Sequence, residues 1–201
     1  TTNPVSPVLL STLHTGNGLF AVDVAGVYAY AVQNSSSLQC RVIDISNPAR
    51  PVVVASRSLP SASGSFPEGR SIFVFRNRAY VGTYETAGSE FYVFDITNPL
   101  NPAFLGSKAV NHSVRNIVVR EEGVGGAVRL LAYLASSANN SELQVLDVTD
   151  PVHVLDFSVF DAQGSGSATA LFAAGQVMWV ARQQVVGEPT VVALSAADPL
   201  H

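Results

Sequence analysis

Three aspartates occupy one place in a string that recurs along this chain. The string reads Arg41-Val-Ile-Asp-Ile-Ser-Asn-Pro48, then Tyr92-Val-Phe-Asp-Ile-Thr-Asn-Pro99, then Gln144-Val-Leu-Asp-Val-Thr-Asp-Pro151. Asp44, Asp95 and Asp147 each stand three residues before the turn Asn or Asp. A carboxylate so placed can accept backbone N–H groups of the turn that follows it, as Asx motifs do. A ring of cation ligands is the alternative chemistry, but successive repeats would hold the carboxylates too far apart to share an ion. The expected role is structural, and no metal is implied. The histidines, His14, His112, His153 and His201, form no HExxH or other ligand-spaced pair, so zinc has no sequence support. Cys40, inside Leu38-Gln-Cys-Arg-Val-Ile43, reads as a small core hydrophobe. No Gly-x-Ser-x-Gly elbow anchors a triad. Gly164-Ser-Gly166 and Gly123-Val-Gly-Gly126 read as turns, since no helix follows to hold a phosphate. Asn34, Asn111 and Asn139 match the glycosylation acceptor pattern, one short enough to arise by chance.

A repeat must position these residues. The Asn/Asp-Pro turn occurs at Asn3-Pro4, Asn47-Pro48, Asn98-Pro99, Asp150-Pro151 and Asp198-Pro199, at intervals of 44, 51, 52 and 48 residues. That spacing suits one four-stranded propeller blade. A second Pro follows at Pro7, Pro51 and Pro102, with Val154 in its place in the fourth copy. Upstream, Ala29-Tyr30, Ala79-Tyr80, Ala132-Tyr133 and Met178-Trp179 each centre a second strand. These aromatics are predicted to fill the space between adjacent blades. Strands are expected near 19–25, 27–32, 38–45 and 52–58, and again near 71–75, 79–84, 90–95 and 103–108. The third set is 115–120, 129–135, 142–147 and 153–159, with an enlarged turn over residues 121–127. The fourth is 168–172, 177–181 and 190–194, and no stretch has helical periodicity. The fold class is all-β, a β-propeller of about four four-stranded blades or a four-blade segment of a larger propeller. Residues 1–201 form one domain, with repeats at about 14–58, 59–108, 109–159 and 160–198.

The fourth repeat runs out before its last strand, whereas residues 3–13 read as a last strand without its first three. Val8–Thr12 is therefore predicted to pair beside Thr190–Leu194 and close the ring, leaving no bare edge. Both ends carry the turn motif, so a closed four-blade ring would hold it twice. A cut from a larger ring would leave that duplication. The opening Thr1-Thr2-Asn3-Pro4, without Met, reads as that of a processed, proteolysed or excised segment.

The segments Val42-Ile-Asp-Ile-Ser-Asn-Pro48 and Val145-Leu-Asp-Val-Thr-Asp-Pro151 resemble the LVIVD repeat family of bacterial and archaeal surface and secreted proteins. The resemblance covers nearly the whole chain, departing where Ser195 replaces the Asp. It implies a β-propeller in an extracellular or cell-surface setting, with the periplasm as the alternative. It implies no single activity.

Composition narrows the partners. Charged residues are 13% of the chain and apolar ones 47%, about half the ~25% charged share of a typical domain. A net charge of −4 without a basic cluster lacks the footprint of nucleic-acid binding. No apolar run reaches the ~18 residues of a membrane helix. The repeats bury enough apolar surface to fold without metal or cofactor. On a propeller, the loops entering the innermost strands crowd one mouth of the channel, with the Asn/Asp-Pro turns on the opposite face. That placement gathers His14, Glu68, Arg70, His112, Arg115 and Asp161 as a candidate ligand-binding rim. The rim loops differ in every repeat, and variable loops on a constant scaffold are where specificity sits. The expected function is a non-enzymatic extracellular binding or adhesion module for a protein or glycan. A structural subunit of a larger extracellular assembly, joined to further blades or other subunits, is one alternative. A propeller hydrolase or lyase is the other.

Overall fold

A third strand such as Val42-Ile43 or Tyr92-Val93-Phe94 is apolar on both faces, so a single sheet built from it cannot bury itself. The computed structural model, described over residues 6–61 and 66–195, meets that need by stacking four antiparallel sheets. The first comprises β1 (Leu19–Ala25), β2 (Tyr28–Gln33), β3 (Cys40–Asp44) and β4 (Val52–Arg57). The second comprises β5 (Gly69–Phe75), β6 (Arg78–Thr83), β7 (Phe91–Asp95) and β8 (Ala103–Lys108). The third comprises β9 (Val114–Val124), β10 (Ala127–Ser136), β11 (Leu143–Asp147) and β12 (Leu155–Phe160). The fourth holds β13 (Ala168–Ala174), β14 (Val177–Arg182) and β15 (Val191–Ser195). Every sheet is a meander in chain order, and the described residues include no helix. The turns at Asn3-Pro4 and Asp198-Pro199 lie outside the described residues.

The Asx turns cap the third strands. Asp44 accepts from Ser46 N at 2.8 Å, Asp95 from Thr97 N at 2.7 Å and Asp147 from Thr149 N at 3.0 Å. Asn47, Asn98 and Asp150 repeat the motif one turn on, accepting from Ala49, Leu100 and Val152. Hydrogen bonds from Ser46 and Thr97 lower the pKa of Asp44 and Asp95. Burial pushes Asp147 upward, but Thr149 and the Arg129 guanidinium outweigh it and the pKa falls.

The sheets pack face to face in sequence. β5 lies on β1 and β2, β9 on β5 and β6, and β13 on β9 and β10. At each joint an aromatic from a second strand faces the next sheet. Tyr30 shares a core with Val81 and Tyr92, Tyr80 with Ile117 and Leu134, and Tyr133 with Leu171 and Val180. These tyrosines are 4%, 0% and 3% exposed, but Trp179 at the fourth copy is 45% exposed. Burial of all four was expected. Trp179 departs from it because no further sheet lies on that face among the described residues.

Two more expectations are corrected. The enlarged turn over residues 121–127 is strand: Val124 pairs with Ala127, and only Gly125-Gly126 turns. Their φ values of 59° and 82° suit the tight primed hairpin that glycine permits. The predicted pairing of Val8–Thr12 beside Thr190–Leu194 does not form. Among the described residues Val191–Leu194 pair with β14 and no other strand, residues 7–15 are not strand, and the four sheets do not close into a ring. The N-terminal segment lies instead on the first sheet, where Leu13 covers Ala29, Ala31 and Ile43 and Ser11 Oγ donates to Pro48 O at 2.7 Å. An open arc keeps the fourth sheet out of reach, and Leu13 takes the apolar face nearest to it.

Tyr80→Ala should cost about 3–5 kcal/mol in urea unfolding, as loss of a buried aromatic does. Acid should also weaken the fold. The depressed pKa values of Asp44, Asp95 and Asp147 mean that their contribution is complete above the ordinary carboxylate pKa of about 4. It is lost as pH falls through the folded values. The melting temperature should fall on acidification below about pH 4, and less steeply in Asp147→Asn.

Candidate functional site

Arg70 and Arg115 are the second residues of β5 and β9, equivalent places on neighbouring inner strands. The loop that enters each strand delivers its arginine to the same mouth. The Arg70 guanidinium lies 5.3 Å from the Phe20 ring centroid and 5.0 Å from that of Tyr84. Arg70 Nη1 also donates to Tyr84 Oη at 3.1 Å, and the two rings meet edge to face at 5.8 Å. Arg115 Nη1 donates to Ser167 Oγ at 2.7 Å and Ala168 O at 3.1 Å. Burial lowers the Arg115 pKa, and the positive charge of Arg70 adds to the effect. Neither guanidinium belongs to an ion pair among the described residues.

The other predicted rim residues are less tightly joined. Glu68 enters through its backbone, its carbonyl accepting from Tyr84 N at 3.1 Å. His14 and Asp161 are exposed and His112 is half-buried. The Asp161 carboxylate turns back on its own loop, accepting from Gln163 N at 2.7 Å. The structure thus brings Arg70 and Arg115 together and adds Phe20 and Tyr84, which sequence reasoning missed. Their only sequence signal was position, Phe20 at the start of an inner strand and Tyr84 just past the end of a second strand.

A buried set of side chains holds the loops that carry this rim. Gln39, Glu90 and Glu142 each immediately precede a third strand and are 2%, 0% and 0% exposed. Gln39 Oε1 accepts from Leu59 N at 3.0 Å. Glu90 Oε2 accepts from Val110 N and Asn111 N at 2.9 and 3.0 Å, and Oε1 from Thr86 N at 3.1 Å. Asn111 has φ 61°, and the bond its N–H donates to Glu90 holds it in that left-handed conformation. Glu142 Oε2 accepts from Ala162 N at 3.0 Å, and its Oε1 from Arg182 Nη2 at 2.9 Å. Arg182 also donates to Gly166 O and Gln163 O, at 3.0 and 2.9 Å. These carboxylates are spent on backbone N–H groups and a buried cation, so they build the rim and do not face its mouth. At the Asn/Asp-Pro end a hollow of about 550 Å³ separates the second and third sheets, lined by Arg76, Arg78, Glu121 and Arg129. Arg76 pairs with Glu121 at 2.9 Å and Arg129 with Asp147, while Arg78 Nη1 donates to Val148 O at 3.1 Å. Among the described residues no three His, Cys, Asp or Glu side chains cluster as a metal site.

Stacked four-stranded meanders with their inner strands at one mouth define a β-propeller repeat module. Residues 17–57 match the LVIVD repeat. In fold the chain is similar to the computationally designed Ika4 protein, with a TM-score of 0.62, 12% identity, and 94% of this chain and 98% of that one covered. It is similar to Raptor from Chaetomium thermophilum at TM-score 0.60 and 10% identity, covering 94% of this chain. A protein of unknown function from Bacteroides thetaiotaomicron follows at TM-score 0.55 and 12% identity, covering 90% of this chain. The matched region spans 16% of Raptor and 42% of the Bacteroides protein. Identities this low carry the fold alone. No curated protein matches the sequence.

Glu142→Ala should destabilise the protein by about 1–3 kcal/mol, because it removes the acceptor of Ala162 N and leaves the buried Arg182 with Glu188 Oε2, 3.2 Å away, as its remaining carboxylate. Glu142→Gln, which keeps an acceptor for Ala162 N, should cost less. Equal urea midpoints for Glu142→Ala and the parent would remove this staple from the account.

Proposed function

We propose that the chain is a non-enzymatic extracellular binding module whose crossover rim recognises an acidic group on a glycan or protein. The observation that carries this reading is Arg70, held against the rings of both Phe20 and Tyr84 beside Arg115, with no ion pair to neutralise either among the described residues. A guanidinium held by two rings has already lost much of its side-chain freedom, and its fork matches a carboxylate in two bonds. Phe20 remains 42% exposed, an apolar shoulder for the face of a sugar ring or the stem of a side chain. The loops that deliver these residues differ from repeat to repeat, whereas Gln39, Glu90 and Glu142 hold their bases by one device. That division suits a scaffold with a variable binding surface. The LVIVD match supports a surface or secreted setting.

Calorimetric titration with uronic-acid oligosaccharides, neutral oligosaccharides of equal length and acidic peptides tests the proposal. Acidic probes should bind more weakly as salt rises. Arg70→Ala should weaken that binding at least tenfold while melting close to the parent. Equal binding of the neutral sugars, or an Arg70→Ala protein that binds as the parent does, would discard the rim.

A further inference from the structure

We propose that two copies of this chain assemble head to tail into one closed ring, each completing the fourth sheet of the other. The fourth sheet turns an uncovered apolar face outward, with Phe172 66%, Trp179 45% and Val191 57% exposed. These positions are equivalent to Phe73, Tyr80 and Phe91 of the second sheet and Val118, Tyr133 and Leu143 of the third. In those sheets the same face is covered by the next sheet in line.

The complement sits at the other end of the same chain. Val22 and Val24 are 59% and 54% exposed on the outer face of the first sheet. Their equivalents, Ile72 and Val74, Ile117 and Val119, Leu171 and Ala173, all pack against the preceding sheet. The internal joints therefore show what each bare face takes, and the chain carries one of each. Docking the fourth sheet of one copy on the first sheet of another continues an interface already made three times.

Strand pairing points the same way. Among the described residues, the edge of Val191–Leu194 away from β14 carries no further strand, and the fourth sheet holds three strands where the first three hold four. Val8, Leu9 and Leu10 are 75%, 79% and 66% exposed and belong to no strand among the described residues. Their segment already stands where the outer strand of a preceding sheet belongs. Ser11 reaches the first-sheet turn at Pro48, much as Arg57 of the first sheet reaches the second-sheet turn at Pro102 O, 2.9 Å away. A fourth sheet docked there from a second copy brings its β15 edge beside this segment. Head-to-tail contacts either close or grow into filaments. Two copies give eight sheets, inside the usual range of about four to eight blades, and three give twelve, outside it.

The chain's single Trp is Trp179 at the proposed joint, so its emission reports the contact directly. Sedimentation should give twice the 21.1 kDa chain mass, with Trp179 emission shifting to the red on dilution. Trp179→Glu and Val22→Glu, both at exposed sites, should each yield folded monomers. Mixed together they should associate one to one, because each keeps one intact face. Leu9→Pro, which denies the exchanged strand a ladder bond, should weaken the pair at least tenfold. A parent that stays monomeric into the millimolar range overturns the proposal, as does a pair indifferent to Trp179→Glu or one that the mixed variants fail to restore. A pair indifferent to Leu9→Pro overturns the strand exchange, and a trimer or filament overturns closure by two.

Discussion

Each sheet in this protein presents apolar side chains on both faces, and everything else follows from the need to cover them. A meander of four short strands has no partner within itself for either face, and a bare apolar surface costs roughly 25 cal/mol per Å². Tyr30, Tyr80 and Tyr133 resolve the problem locally, each reaching from the second strand of one sheet into the next. Because the cover always comes from the neighbour, stability is shared between repeats, as in other linear arrays. The same logic makes the ends of the array different from its middle. At the first sheet Leu13 supplies partial cover, and at the fourth Phe172 and Trp179 have none among the described residues.

Close stacking leaves the crossover loops as the part of each repeat free to vary, but a loop hung between sheets needs its backbone N–H groups satisfied. Gln39, Glu90 and Glu142 do this from inside, and the change from a neutral amide to two carboxylates shows how tolerant the device is. A buried carboxylate is costly alone. Glu90 is stabilised by three backbone donors and Glu142 by Arg182 with a backbone donor. With the loop base fixed in this way, Arg70 and Arg115 arrive at equivalent heights on adjacent strands.

The sequence was most legible where local and tertiary demands coincide. Asp44, Asp95 and Asp147 announce their turns because an Asx cap needs only residues two places away. The third hairpin was misjudged because Glu121-Glu122-Gly123 reads as solvated loop. Glu122 is in fact held on the strand by Tyr133 Oη at 3.1 Å, a partner on the neighbouring strand. Residues 3–13 have the type of an outer strand, yet local pattern could not say which sheet they lie against. Arg70 and Arg115 were visible as charges leading into inner strands. Phe20 and Tyr84 were not, since only packing of the first sheet on the second brings both rings to one guanidinium. Glu90 and Glu142 were missed for a related reason: a carboxylate in a polar stretch reads as exposed until the chain folds back over it.

The rim and the sheet faces are perpendicular features, so binding and assembly need not compete for surface. In a ring of two copies the Arg70–Arg115 pair occurs twice around one mouth, on opposite halves. A single guanidinium–carboxylate contact at an exposed site is weak in water, and one such pair makes a poor receptor for a short acidic ligand. A longer acidic chain that spans the mouth meets the second pair at high effective concentration, and its avidity then exceeds either contact alone. The open arc and the modest individual site are thereby parts of one arrangement. On the proposed ring, apolar faces would set the number of copies, and the number of copies would set how tightly a repeating acidic ligand is held.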